Sequence, residues 1–282
     1  MNCTEAVNSA RRALFELKKI FAKNDEITPK IQLDLFKSMV LPILMYGCEI
    51  WGFDRADPLE RFYLAFLKSI LGVKKSTPNC FVYGELGVFP LIIERKVRIL
   101  KYWLKILKSD ETSYLKKMYL DMLVTNENNP EQISWVYNLK QLLFELGFGY
   151  VWINQGVQRE TSFLNQIKKR LLDVYLQQWH SEKMATSSSR LFKHIKSTFN
   201  FENYLHISNK SFRNALTKVR LSSHNFFIER GRWAKNKIEV KDRTCTLCGS
   251  VEDEFHCIVE CPRFKTERKG LLPENLLTKP SM

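Results

Sequence analysis

Apolar residues recur every three or four positions along most of the chain, which is the spacing that lines one face of an α-helix. Ala6, Ala10, Ala13, Leu14, Leu17, Ile20 and Phe21 form the first such stripe, and it stops at Asn24-Asp25. Thr28-Pro29 then offers a capping hydroxyl followed by a proline at the first helical position, and Ile31, Leu35, Met39 and Val40 continue a second stripe. Proline lacks an N–H, so Leu41-Pro42 predicts a kink before the apolar run PILMYGCEIWG. Asp57-Pro58 repeats the cap-and-proline start, with Leu59, Phe62, Tyr63, Phe66, Leu67, Ile70 and Leu71 ending at Gly72. Thr77-Pro78 and Phe89-Pro90 begin two more helices, and Ile93, Val97, Leu100, Leu104 and Leu107 mark the second. Amphipathic segments near 112–123, 131–146 and 160–180 complete the series.

The pattern predicts a mainly α fold, a multi-helix body followed by a small cysteine-rich module. Leu35, Met39, Leu44, Trp51, Phe62, Phe66, Leu100 and Trp103 are expected in the core, each buried side chain contributing roughly 1.5–3 kcal/mol. Two polar stretches, Asn126–Pro130 and Ala185–Ser189, suggest connectors. The expected organisation is a helical region at 1–155, a basic helical region at 156–240, a metal-binding module at 241–266 and a tail at 267–282. With 11 Gly and 9 Pro in 282 residues, a sandwich of many short strands is not expected. No apolar run approaches the roughly 20 residues that span a bilayer, and the N-terminus lacks the features of a signal peptide. An intracellular protein without a membrane partner is expected.

Charge sharpens this picture. The chain carries 44 Lys and Arg against 30 Asp and Glu, a formal charge of +14. Residues 161–240 hold 15 basic and 5 acidic residues, so most of the excess lies directly before the cysteines. A polyanion partner, RNA or DNA, follows naturally because each neutralised phosphate releases counterions. A solvated helical face that keeps the chain soluble is the plainer alternative.

Four of the seven cysteines fall within TCTLCGSVEDEFHCIVEC, residues 244–261. The spacing Cys245-x2-Cys248-x7-His256-x4-Cys261 sets two thiolates on one turn, with Gly249 free to go left-handed after it. Three soft sulfurs and one imidazole suit Zn²⁺, and four protein ligands leave no open position, so the expected role is structural. A redox Cys-x-x-Cys would need a strand-helix context that the sequence does not offer. Cys257 neighbours His256 and competes with it as a ligand; it is expected to pack as a small hydrophobe between Phe255 and Ile258.

Beside this module, Ser222-Ser223-His224 lacks the third orienting group of a hydrolase triad, and capping with phosphate contact is the expected role. Arg220, His224, Arg230, Arg232 and Lys235 are the candidate nucleic-acid contacts, and Trp233 is a candidate stacking platform. Phe226 and Phe227 are expected in the core.

The segments LSSHNFFIERGRW and CTLCGSVEDEFHCIVECPRF together resemble the carboxyl-terminal end of non-LTR retrotransposon reverse transcriptases, the family of long interspersed elements. FKSMVLPILMYGCEIWG and FLKSILGVKKSTPNCFVYGELGVFPL resemble the thumb and its extension in the same family. The resemblance spans nearly the whole chain. It implies a helical thumb-like region ending in a CCHC zinc knuckle that grips template RNA or target DNA, within a polyprotein found in nucleus and cytoplasm. Polymerisation needs an Asp-Asp pair holding two metal ions. Asp54 and Asp57 flank a turn before a proline instead, and are read as turn and cap residues. The chain is therefore expected to be a carboxyl-terminal fragment with no catalytic residues, inactive as a polymerase alone. A protein-interaction scaffold built around the knuckle is the alternative.

Overall fold

The computed structural model describes residues 3–24, 26–53, 57–129, 132–186, 190–236 and 238–271. The chain is mainly helical, and among the described residues it contains no strand beyond two isolated bridges, Leu86 with Phe201 and Thr244 with Val251. No helix there is long and apolar enough to cross a membrane. Asp25, Asp54, Pro130, the Ser187–Ser189 run and the tail from 272 onward lie outside the described residues.

The first helices follow the expected stripes with one rotation. Helix α1 (Cys3–Lys23) buries Ala6, Val7, Ala10, Leu14 and Leu17. Helix α2 (Pro29–Met39) begins at its proline, although the Thr28 hydroxyl makes no capping bond. Its buried face carries Leu33 and Phe36, whereas Ile31 and Met39 are exposed. Both stripes have helical spacing, and Phe36 selects its own because its ring stacks on Phe66 at 4.2 Å. Of the expected core, Leu44, Phe66, Leu100 and Trp103 are buried, Leu35, Trp51 and Phe62 are half-buried, and Met39 is corrected to the surface. Pro42 interrupts the run as expected, separating α2 from the short α3 (Leu41–Leu44) and α4 (Cys48–Trp51).

Helix α5 (Asp57–Leu71) packs against α6 (Asn79–Leu86) and α7 (Leu91–Lys108). Pro78 and Pro90 stand at the N-cap rather than inside the helix, both extended, with no capping side chain of their own. Glu60 of α5 supplies the missing acceptor at α7, taking the N–H groups of Leu91 at 3.2 Å and Ile92 at 2.7 Å. A carboxylate at a helix N-terminus also complements the helix dipole. Ser113 and Ser134 cap α8 (Tyr114–Asn128) and α9 (Trp135–Glu145) through their hydroxyls.

Helix α10 (Gly149–Ile153) leads to α11 (Glu160–Ala185), which joins two hydrophobic cores. One core gathers α1 to α6 around Phe36, Leu44, Phe66 and Phe81. The other gathers α7 to α10 around Leu100, Trp103, Leu139 and Val151. Phe163, Ile167 and Leu171 of α11 enter the second core, and Trp179 enters the first. Helices α12 (Arg190–Ile195) and α13 (Lys210–Arg220) follow, and Phe192, Leu205 and Leu221 return to the first core. The segment after residue 155 thus contributes to both cores.

Candidate metal centre and its basic neighbourhood

The Cys/His segment folds as a tight hairpin followed by one wide helical turn. Thr244 and Val251 form an antiparallel bridge, Cys245 N–H donates to the Ser250 carbonyl at 2.7 Å, and Gly249 N–H returns to the Cys245 carbonyl at 2.9 Å. Gly249 has φ +75, a conformation that costs glycine little and other residues more. The Asp253 carboxylate accepts the His256 N–H at 2.8 Å and starts the turn His256–Glu260, in which Cys261 N–H reaches the His256 carbonyl at 2.7 Å. That i-to-i+5 bond lets His256 and Cys261 face the same point.

The ligand atoms of Cys245, Cys248, His256 and Cys261 all lie within 4.8 Å of one another. The sulfurs of Cys245 and Cys261 are 3.9 Å apart, and Cys248 Sγ is 3.3 Å from His256 Nε2. Backbone N–H groups of Leu247 and Cys248, together with the His256 ring, surround the Cys245 sulfur and hold its pKa down to about 6. Burial and the Cys245 sulfur push Cys261 the other way. His256 Nδ1 is buried and makes no hydrogen bond, with a Glu260 oxygen 3.7 Å from it. These four residues could hold a metal ion. Cys257 is buried outside the cluster, and burial raises its thiol to about 12.

Below the hairpin, α14 (Phe227–Arg230) and its flanks tie the module to the body. Ile228 N–H donates to the Glu252 carbonyl and Phe227 N–H to its carboxylate, both at 3.1 Å. Arg243, buried, reaches back to the carbonyls of Ile228 at 2.7 Å and Ile238 at 2.7 Å. Glu254 accepts the Ser222 hydroxyl at 2.7 Å, with Ser222 at φ +49, in the left-handed region that favours glycine. Lys74, in the turn after α5, completes the tie: its N–H meets Ser223 Oγ at 2.7 Å, and its ammonium donates to the His224 carbonyl at 2.6 Å and to Asn225 Oδ1 at 2.9 Å.

Two of the expected nucleic-acid contacts, Arg220 and His224, are engaged by partners within the protein. Arg220 grips the fully buried Glu85 with Nε at 2.5 Å and Nη2 at 3.2 Å, touches Glu202 at 3.1 Å, and lies over the Tyr204 ring. His224 is buried with Nε2 3.0 Å from Glu254, and its Nδ1 accepts the Phe226 N–H at 3.2 Å. With Nδ1 accepting, Nε2 carries the hydrogen and donates to the carboxylate. Both side chains are therefore occupied inside the protein. The partners lie far away in sequence, which is why a local reading places these residues on the surface.

The other candidates differ. Arg230 and Lys235 are exposed, and Trp233 is 66% exposed. Arg232 is half-buried with its guanidinium 3.3 Å from Glu229. Phe226 and Phe227, expected in the core, are half-buried, and the Phe226 ring lies tilted against His224 with centroids 4.3 Å apart. Lys74, Lys218 and Asn225 line a cleft between the α5–α6 turn and α13, and Trp233 lines an adjoining crevice with Lys74, Ser76 and Glu229. Glu85, Glu254, Arg243 and Lys74 were not singled out from sequence, because their partners lie in other segments of the chain and no local pattern marks them. No family model matches the chain, and neither curated proteins nor solved structures give a match.

Proposed function

We propose that this chain binds RNA or DNA as the carboxyl-terminal part of a non-LTR retrotransposon reverse transcriptase, using a structural zinc knuckle and the exposed basic residues beside it. The observation that carries this reading is the convergence of three thiols and one imidazole at one point, docked against a segment that exposes Arg230, Trp233 and Lys235. A tetrahedron with Zn–S near 2.3 Å and Zn–N near 2.0 Å has S···S edges of about 3.8 Å and S···N edges of about 3.5 Å. The 3.9 Å and 3.3 Å separations suit that shape. Bound Zn²⁺ supplies folding energy to a module too small for its own core. The protein residues then orient a strand: Arg230, Lys235 and Lys218 meet phosphates, and Trp233 offers a face on which a base can stack.

A protein-interaction scaffold built around the cluster is the alternative reading, with the exposed Leu247 between Cys245 and Cys248 as an apolar contact. Salt dependence separates the two. Arg230→Ala with Lys235→Ala is expected to weaken binding to all sequences about equally and to lower the salt slope by roughly 1–2. Parent-like affinity and slope in this variant would discard the phosphate contacts and leave the scaffold.

A further inference from the structure

A groove of about 960 Å³ runs along α7, with α4 on one wall and α11 on the other. Its basic residues come from two helices. Arg98, Lys101, Lys105 and Lys108 follow one another on α7 at spacings of three, four and three, so they share a face, and Lys168 joins them from α11. The two ends are already neutralised: Arg98 pairs with Glu94 at 3.1 Å and Lys108 with Glu160 at 3.0 Å. Lys101, Lys105 and Lys168 are exposed and have no carboxylate within 4.0 Å among the described residues. Ile50, Val97 and Tyr102 supply apolar lining, with Ile50 67% exposed. Tyr102 is steadied edge-on by Trp135, whose Nε1 donates to the Glu49 carbonyl at 2.9 Å.

We propose that this groove is a second nucleic-acid site, in which Lys101, Lys105 and Lys168 hold the phosphodiester backbone of one strand and Tyr102 packs against its sugars or bases. The inference rests on the nucleic-acid reading above but uses none of the same residues. A lysine row on a convex helix is ordinarily a solvated face; here three unpaired ammonium groups from two helices converge in a concavity, where low-dielectric walls concentrate the field. The length argues for a chain of phosphates rather than one anion. From Arg98 to Lys108 the row runs about 15 Å at about 1.5 Å per residue, several times the width of a single phosphate. The apolar lining of Ile50, Val97 and Tyr102 offers surface for the sugars and bases between the phosphates, which an acidic side-chain row would leave unfilled.

The test compares the full chain, Lys101→Ala/Lys105→Ala/Lys168→Ala, and Arg230→Ala/Lys235→Ala in salt titrations with fluorescent RNA and DNA oligonucleotides. Lysine acylation footprinting of the parent with and without oligonucleotide, or with poly-glutamate, is read by mass spectrometry. All three lysines are exposed and helical, so alanine preserves the fold, which circular dichroism checks. The groove variant is expected to bind about tenfold or more weakly near 0.1 M salt, with a slope reduced by about 2–3. Lys101, Lys105 and Lys168 are expected to be protected by oligonucleotide. Parent-like binding by the groove variant, or unprotected lysines, overturns the groove while a loss in the Arg230/Lys235 variant leaves the wider reading standing. Protection by poly-glutamate alone also overturns it. A parent that binds no oligonucleotide ends both.

Discussion

Gly84 lies flat against the indole of Trp179, so that a methyl group on its Cα would stand 2.7 Å from Cζ2. The glycine sits inside α6, where it costs helix stability, and the fully buried indole uses the space while its Nε1 donates to the Cys80 carbonyl at 2.8 Å. Gly84→Ala is therefore expected to destabilise the body by about 1–3 kcal/mol through overpacking, despite an intrinsic helix gain of about 1 kcal/mol. Urea unfolding checks it, and an unchanged or raised midpoint would show that the indole gives way.

Arg220→Ala is expected to cost about 3–5 kcal/mol, because it leaves Glu85 charged, buried and facing Tyr204 without its cation. Replacing both partners by leucine is expected to cost less than the single change. Chemical denaturation of the three proteins decides it; a mild single variant would return Arg220 to the surface contacts.

One metal ion per chain is expected, lost in Cys248→Ser and kept in Cys257→Ser. The first sulfur is 3.3 Å from His256 Nε2, whereas the second is packed away from the cluster. Chelation is expected to accelerate amide exchange around 244–261 while leaving most of the helical signal intact. Metal analysis and hydrogen-exchange mass spectrometry provide the readings, and full retention in Cys248→Ser would reject this ligand set.

Glu254→Ala is expected to destabilise the tie between module and body by about 1–3 kcal/mol, since the Ser222 hydroxyl and the His224 Nε2–H then lose their shared acceptor in a buried site. Glu254→Gln keeps an acceptor oxygen and is expected to recover part of the loss. Exchange rates across 222–226 report it; equal rates in parent and alanine variant would show that Lys74 and Glu252 hold the segment unaided.

The long helices α1, α5, α7 and α11 were legible because each has its own periodicity, whereas α6, buried on every side, was marked only by the Thr77-Pro78 start. The metal cluster was legible for a similar reason: all four ligands lie within 17 residues, and the hairpin and wide turn that gather them are local. What escaped depends on distant chain. Phe36 rather than Met39 faces inward because Phe66 arrives 30 residues later. Arg220 and His224 turn inward because Glu85 and Glu254 receive them. A charge count treats every arginine alike, and only the tertiary partner separates one that meets solvent from one that neutralises a buried carboxylate.

The placement of α11 also bears on how the chain tolerates being cut. A proteolytic nick or an engineered terminus between α10 and α11, at residues 154–159, would take Trp179 from one half of the body and Phe163, Ile167 and Leu171 from the other. Both fragments would expose apolar surface and tend to re-associate or aggregate. A severed pair that copurifies as a complex is the behaviour such a shared beam implies, and a soluble, independently folded amino-terminal piece ending there is not.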